Sequence, residues 1–482
     1  MTDLPHGWAF ATVGELADLT DGPFGSNLKT AHYTETGPRV IRLQNIGEGV
    51  FRDERAHIDQ ARYERLIKHA VRPGDIVAAS LGESTPRACL VPGWLGPAIV
   101  KADCIRVRAH GGIDPGFLMW MLNSPQVRAQ AALSIKGVGR PRLGLRGLRL
   151  LAVPVPPETE QRRILAAIEQ LVSRMDAATQ SVRRANVNCS SMRRVVLDLA
   201  AQGRLTTQDS AERSLAELVE SLRATAETAR RPPAKPRRRA FGDADHLPEL
   251  PSGWIWHSAR DVCSLITNGN TPAPHKMHPG GGDIPFVKVY NLTQDCKLDF
   301  RVRPTFIDRE THNGELARSR LRPGDVLLNI VGPPLGKVAV LPALYSEWNA
   351  NQAIVAFRTH PEVLDPRLLA FWLQSTFVFG RLLQTAKATA GQFNLALSAC
   401  RELPLPIPPR EEQRRIIVEL DRQLTLLSSI SGTAESVLHR NAALRRSILV
   451  CAFVGTLVAQ SSGKDSALSP STASPRPRQA VT

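Results

Sequence analysis

The sequence predicts an α+β protein. It has two mixed α/β heads, each followed by a long helix, and the two helices pack as an antiparallel coiled coil with an internal pseudo-two-fold. Three observations predict this: an internal repeat of about 250 residues, turn-rich β segments opening each copy, and a heptad stretch closing each copy.

The repeat comes first because a missed repeat misassigns the whole fold. Leu4-Pro-His-Gly-Trp8 returns as Leu250-Pro-Ser-Gly-Trp254, and Val40 to Ile46 returns as Phe286 to Leu292. Arg72-Pro-Gly-Asp75 matches Arg322-Pro-Gly-Asp325, and Asp114-Pro115 matches Asp365-Pro366. Pro156-Pro-Glu-Thr-Glu-Gln-Arg-Arg-Ile164 matches Pro408-Pro-Arg-Glu-Glu-Gln-Arg-Arg-Ile416, and Gly203-Arg-Leu205 matches Gly455-Thr-Leu457. The matches are collinear and their offset drifts slowly from 246 to 252, as two copies of one module with loop-sized insertions require.

The opening part of each copy alternates short β-rich runs (Arg39 to Ile46, Asp75 to Ser80, Phe286 to Tyr290) with Gly, Pro and Asp turns. One helix is expected in each, capped by Asp114 or Asp365 with proline in its first turn. Leu118, Met119, Trp120 and Leu122, like Leu369, Phe371, Trp372 and Leu373, give that helix a core-facing surface.

The closing part of each copy is a long helix. Glu158 and Glu160, or Glu411 and Glu412, stand where the helix dipole favours acids. A seam follows with alternating spacings of four and three: Ile164, Ile168, Leu171, Met175, Ala178, Val182, Ala185, Cys189, Met192, Val196, Leu199. Its counterpart is Ile416, Leu420, Gln423, Leu427, Ile430, Ala434, Val437, Asn441, Leu444, Ile448, Cys451. Such a seam is a coiled-coil signature, and polar Gln423 and Asn441 either set its register or sit at its margin.

The net charge of +16 favours a polyanionic partner, although an arginine- and alanine-rich composition also follows from a GC-rich genome. Residues 226–250 form a Pro/Arg-rich linker without an acid from Thr228 to Ala240, and residues 461–482 read as a disordered tail. The seven cysteines are scattered and never spaced as CxxC, which fits a reducing cytoplasm. No signal peptide and no apolar run of membrane-spanning length is expected.

No catalytic constellation is found. Gly332 to Val338 imitates a P-loop but lacks the hydroxyl residue that would hold magnesium. Gly137, Gly139 and Gly144 make a weak dinucleotide-loop pattern without the flanking strand. His275 and His278 have no neighbouring ligands for a metal. The expectation is a binding subunit without its own cofactor or metal.

Two groups of residues are candidates for contacting DNA. Arg42, Gln44 and Asn45 match Lys288, Tyr290 and Asn291 across the copies. Arg or Lys can bridge guanine, and Asn or Gln can bridge adenine. The alternative is that Asn45 and Asn291 cap a turn. The second group is Lys136, Arg140, Arg142, Arg146 and Arg149, with glycines that let backbone approach phosphate; its counterpart is Lys387, Gln392 and Asn394.

Asp21 to Lys29, Val40 to Ile46, Arg72 to Asp75, Gln392 to Leu395 and the two Pro-Pro-x-x-Glu-Gln segments resemble the specificity subunits of Type I restriction-modification systems. The resemblance covers residues 4–222 and 250–460. It implies target-recognition domains at 1–156 and 251–408, helical regions at 157–225 and 409–460, and a non-catalytic subunit. It also implies an asymmetric bipartite DNA site and two modification subunits carrying S-adenosylmethionine that methylate one adenine per half-site. Restriction subunits, using ATP and magnesium, join these where the system has them. Two other classes remain open from sequence: a self-sufficient DNA methyltransferase or nuclease, and a coiled-coil scaffold.

Overall fold

The computed structural model describes residues 4–23, 27–82, 84–135, 142–209, 211–228, 247–332, 334–389 and 392–459. Most of the basic linker and the whole tail lie outside these residues. The chain divides into two compact units: residues 1–183 together with 435–482, and residues 184–434. Among the described residues no helix is long and apolar enough to cross a membrane.

In the first unit, Ala17–Asp21, Cys104–Ala109, Ile76–Ala79 and Arg87–Leu90 form an antiparallel sheet in that spatial order. A second sheet runs His57–Ile58, Tyr33–Ile41, Ala98–Val100, Ala70–Val71, with one parallel pairing between Tyr33–Ile41 and Ala98–Val100. Ala9–Thr12 pairs with Ala152–Val155 beside them.

The second unit repeats the plan. Cys263–Asn268, Ile354–Thr359, Val326–Asn329 and Val338–Val340 make the antiparallel sheet, and Ile255–Ser258 pairs with Pro404–Ile407. The long Tyr33–Ile41 strand is split here into Met277–Pro279 and Ile284–Val287, both paired with Thr305–Ile307. Gly280, Gly281, Gly282 and Asp283 fill the break.

The β-rich run predicted over Arg39 to Ile46 ends early. The strand stops at Ile41 and a 3-10 turn spans Leu43–Asn45; the second unit does the same at Val287 and Val289–Asn291. The reason is the asparagine, whose side chain bonds back to the start of the turn and so competes with the sheet.

The repeated Arg-Pro-Gly-Asp segments are tight turns into the central strands. Gly74 and Gly324 take φ of +83° and +87°, a conformation that costs glycine little. Asp75 and Asp325 close the turns on the backbone N–H of Arg72 and Arg322 at 2.8 and 2.9 Å. Each aspartate is then gripped by both nitrogens of an arginine on the neighbouring strand: Arg108 on Asp75 at 2.7 and 2.6 Å, and Arg358 on Asp325 at 2.7 Å twice.

The head helices form as predicted, Pro115–Leu122 and Pro366–Trp372, with Asp114 and Asp365 accepting from their first-turn N–H groups. Trp120 and Trp372 are buried core, each worth about 2–3 kcal/mol by area.

The long helices are Glu158–Ala201 and Arg410–Val454. They run antiparallel in the first unit, where Arg163 Nη1 reaches Ala459 O at 3.2 Å and Asp176 pairs with Arg445 at 2.9 Å. Ile164, Ile168, Val172 and Met175 share a core there with Ile448, Leu449, Ala452 and Phe453. In the second unit Val196, Leu197, Ala200 and Ala201 share a core with Ile416, Ile417, Leu420 and Leu424.

The heptad register needs correction. Met192, Ile430 and Leu444, placed in the seam by sequence, are exposed, whereas Val172, Leu197, Leu424, Leu449 and Ala452 are buried. A helix of 3.6 residues per turn drifts off a strict 3.5 repeat over six turns or more. Asn441 crosses to the other long helix, donating to Met175 O at 3.4 Å and Thr179 Oγ1 at 3.2 Å. Gln423 instead bonds Glu419 on its own helix at 2.6 Å.

The Glu-Gln pair opening each long helix locks it to its head. The Gln161 amide accepts from Asp114 N and donates to Gly112 O and Pro156 O, all within 3.1 Å. Gln413 repeats this with Asp365 N, Val363 O and Pro408 O. Glu412 is buried and accepts from Trp254 Nε1 at 2.8 Å and Gln208 Nε2 at 2.7 Å.

Candidate nucleic-acid interface

The turn at residues 42–45 carries three of the predicted contacts, and the structure separates them. Asn45 is buried: its Oδ1 accepts from Arg42 N at 2.8 Å and its Nδ2 donates to Arg52 O and Glu54 O at 2.9 and 2.7 Å. Asn291 is buried likewise, with Lys288 N, Asp299 O and Val302 O as partners at 2.9, 3.3 and 2.8 Å. Both amides are fully spent on backbone, so neither is free for a base edge, and their task is to shape the following loop. This corrects their assignment as DNA contacts and favours the turn-capping alternative.

Arg42 is half-buried, donating to Arg55 O at 3.2 Å, and in its satisfied orientation the exposed Gln44 amide oxygen accepts from that guanidinium at 3.0 Å. Lys288 is half-buried. Tyr290 is 38% exposed, with its hydroxyl donating to Arg303 O at 3.2 Å. Arg42, Gln44, Lys288 and Tyr290 thus remain at or near the surface.

The second predicted group is only partly described. Lys136 and Arg140 lie outside the described residues. Arg142 sits at a β-bridge to Leu81, with Nε 3.1 Å from Asp103. Arg146 and Arg149 are exposed on the short helix Leu145–Arg149. In the second unit Lys387–Thr389 pairs with Gln392–Asn394, so that Lys387 faces Asn394 and Thr389 faces Gln392 in register. Asn394 also bridges Val331. Arg142 and Asn394 therefore occupy equivalent places, each beside the loop that leaves the central strand.

The sequence reading missed what holds the loop after the asparagine turn. Arg445, from the second long helix, donates to Glu48 O at 3.2 Å and lies 5.4 Å from the Trp120 ring centre. Arg193, at the repeat-equivalent position, donates to Gln294 O at 3.1 Å and Gln374 Oε1 at 2.7 Å. The Arg193-Arg194 and Arg445-Arg446 pairs, 252 positions apart, are the signal that could have found them. Gly49, at φ +75°, lies flush on Trp120, where a Cβ would fall 2.4 Å from the ring. These loops are pinned surfaces rather than free connections.

Comparison with known proteins adds likenesses. Residues 251–434 match the model of the Type I restriction modification DNA specificity domain, over the second head and the first part of its helix. The EcoBI specificity subunit of Escherichia coli is 24% identical over 94% of this chain and 87% of its own length. The chain is thus similar to the specificity subunits of Type I restriction-modification systems. The StySPI specificity subunit of Salmonella potsdam is 22% identical, covering 95% of this chain and 90% of its own length. A chain from a structure on complex assembly of the type I R-M system shares the fold with TM-score 0.67 and 20% identity, over 94% of this chain and 99% of that one. The HsdS subunit of Thermoanaerobacter tengcongensis has TM-score 0.50 and 20% identity, over 94% and 98%. These relatives are named as specificity subunits of type I restriction enzymes, and the chain resembles them over nearly its whole length.

Proposed function

We propose that the subunit reads an asymmetric, bipartite DNA site, one half-site per head, and directs adenine methylation in each half by partner modification subunits. The observation that carries this is the duplication itself. Two units share one framework, down to Gln161 and Gln413 or Asp75 and Asp325, while the surface positions differ: Gln44 against Tyr290, Arg142 against Asn394. Closely similar scaffolds with unlike surfaces suit two readers of unlike sequence.

Double-stranded DNA is the ligand. Two modification subunits would bring S-adenosylmethionine and extrude the target base. Restriction subunits using ATP and magnesium would join where the system includes them. The site of action is the cytoplasm.

Exchange of residues 1–156 for the corresponding head of another family member tests the reading. Methylome sequencing of cells carrying the chimera is expected to show one half of the split adenine motif replaced and the other retained. Replacement of both halves, or of neither, overturns the two-reader assignment.

A further inference from the structure

The loop that follows each buried asparagine presents an arginine outward with an aspartate holding it. In the first unit Arg55 Nε lies 3.3 Å from Asp53 Oδ2, and the Arg55 side chain is 72% exposed. Asp53 is itself fixed from inside by the largely buried Arg39, Nη2 to Oδ1 at 2.7 Å. In the second unit Arg301 is 93% exposed and meets Asp299 through both Nε at 3.1 Å and Nη2 at 3.4 Å. The two Asp-x-Arg triplets are 246 positions apart, the same offset that relates Asn45 to Asn291. Their aspartates are held below the ordinary carboxylate range, by Arg39 first in one and by Arg301 in the other.

An exposed arginine normally samples many rotamers, and a lone surface ion pair contributes little to stability. Here the surrounding backbone is over-determined. Asn45 fixes Arg52 O and Glu54 O, Asn291 fixes Asp299 O and Val302 O, and Arg445 and Arg193 hold the same loops from the long helices. The framework thus places one guanidinium per head on a rigid base, with the Nε side occupied by the carboxylate and N–H groups at the far end left for a ligand.

That arrangement discriminates between two DNA contacts. The aspartate offsets most of the positive charge, so a phosphate gains little from such an arginine. A fixed fork of parallel N–H groups is instead what guanine O6 and N7 demand. Resting on the function proposed above, we propose that Arg55 and Arg301 are guanine-reading residues of the two heads, each oriented by the aspartate two positions before it.

The test uses the full subunit assembled with its modification partner, and duplexes carrying the methylated motif mapped from the host cell, each base pair changed in turn. Arg301→Lys keeps the charge and loses the fork. Discrimination at one guanine-containing pair of one half-site is expected to fall about 5- to 140-fold, with every other position unchanged. Arg55→Lys is expected to do the same in the other half-site, and Asp299→Asn to give a smaller loss at the pair that Arg301→Lys affects. Both arginine side chains are exposed, so circular dichroism is expected to show unchanged folding.

Uniform weakening on all duplexes, with a shallower salt slope for Arg301→Ala, identifies a phosphate contact and overturns the assignment. So does an unchanged motif in every variant. A wild-type complex that methylates no defined motif overturns the parent reading, and this one with it.

Discussion

In the second unit the carboxyl group of Glu412 accepts hydrogen bonds from Trp254, Gln208 and Thr206, and Arg415 pairs with Glu212 next to it. In the first unit the repeat-equivalent Glu160 is just as buried, yet among the described residues its Oε1 has no hydrogen-bond partner, nor has the Trp8 Nε1. The partners in the second unit come from the segment after the first long helix, Thr206 to Glu212. Its repeat equivalent begins at Val458 and soon passes beyond the described residues. One junction design is therefore present twice, with its polar groups satisfied to different degrees among the described residues, and Gln161 and Gln413 carry the same three bonds in both.

The contrast can be broken most forcefully at the strand-gripping aspartates. Asp325→Ala leaves the Arg358 guanidinium, 21% exposed, without its carboxylate and is expected to cost about 3–5 kcal/mol in urea denaturation. Asp75→Ala is expected to cost less, about 2–3 kcal/mol, because Arg108 is 32% exposed and keeps more of its water. Equal losses would show that solvent access does not separate the units.

The junction glutamates are expected to differ in sign. Glu412→Gln loses accepted bonds and is expected to destabilise by about 1–2 kcal/mol. Glu160→Gln is expected to be neutral or to stabilise by up to about 1 kcal/mol, since a buried carboxyl group with an oxygen unpartnered among the described residues becomes a neutral amide. Burial raises the Glu412 pKa above 4.5 despite the bonds it accepts. The folded state then holds the proton longer than the unfolded chain, so this contribution is greatest below about pH 4.5 and declines as pH rises through the raised value. The Gln variant is expected to flatten that part of the stability profile. The smallest effect is expected at exposed Arg146, where Ala lowers affinity for all duplexes alike and reduces the salt slope by about one unit.

Much of the architecture was legible because it is written in periodicities and caps. The collinear repeat announced two units, Asp114-Pro115 and Asp365-Pro366 announced the head helices, and the apolar spacing announced the paired long helices. The reading contacts were harder. Asn45 has the residue type of an adenine reader, and only the three-dimensional path shows Arg52 O and Glu54 O consuming its amide. Met192 and Leu444 fit a strict heptad, but the helices stay near their natural pitch and rotate those positions outward. Asp53 to Arg55 lies in a stretch with no apolar pattern. Its importance emerges only after the 246-residue offset lines it up with Asp299 to Arg301.

The core of the first unit is sealed by residues from near the other end of the chain. Phe453 meets Phe117 edge to face at 5.5 Å, and Ile448, Leu449 and Ala452 join the same cluster as Trp8. During synthesis the cluster of Trp8 and Phe117 must therefore wait for the helix Arg410–Val454 before these side chains cover it. A chain cut short before Ile448 therefore leaves the cluster of Trp8 and Phe117 without those four side chains.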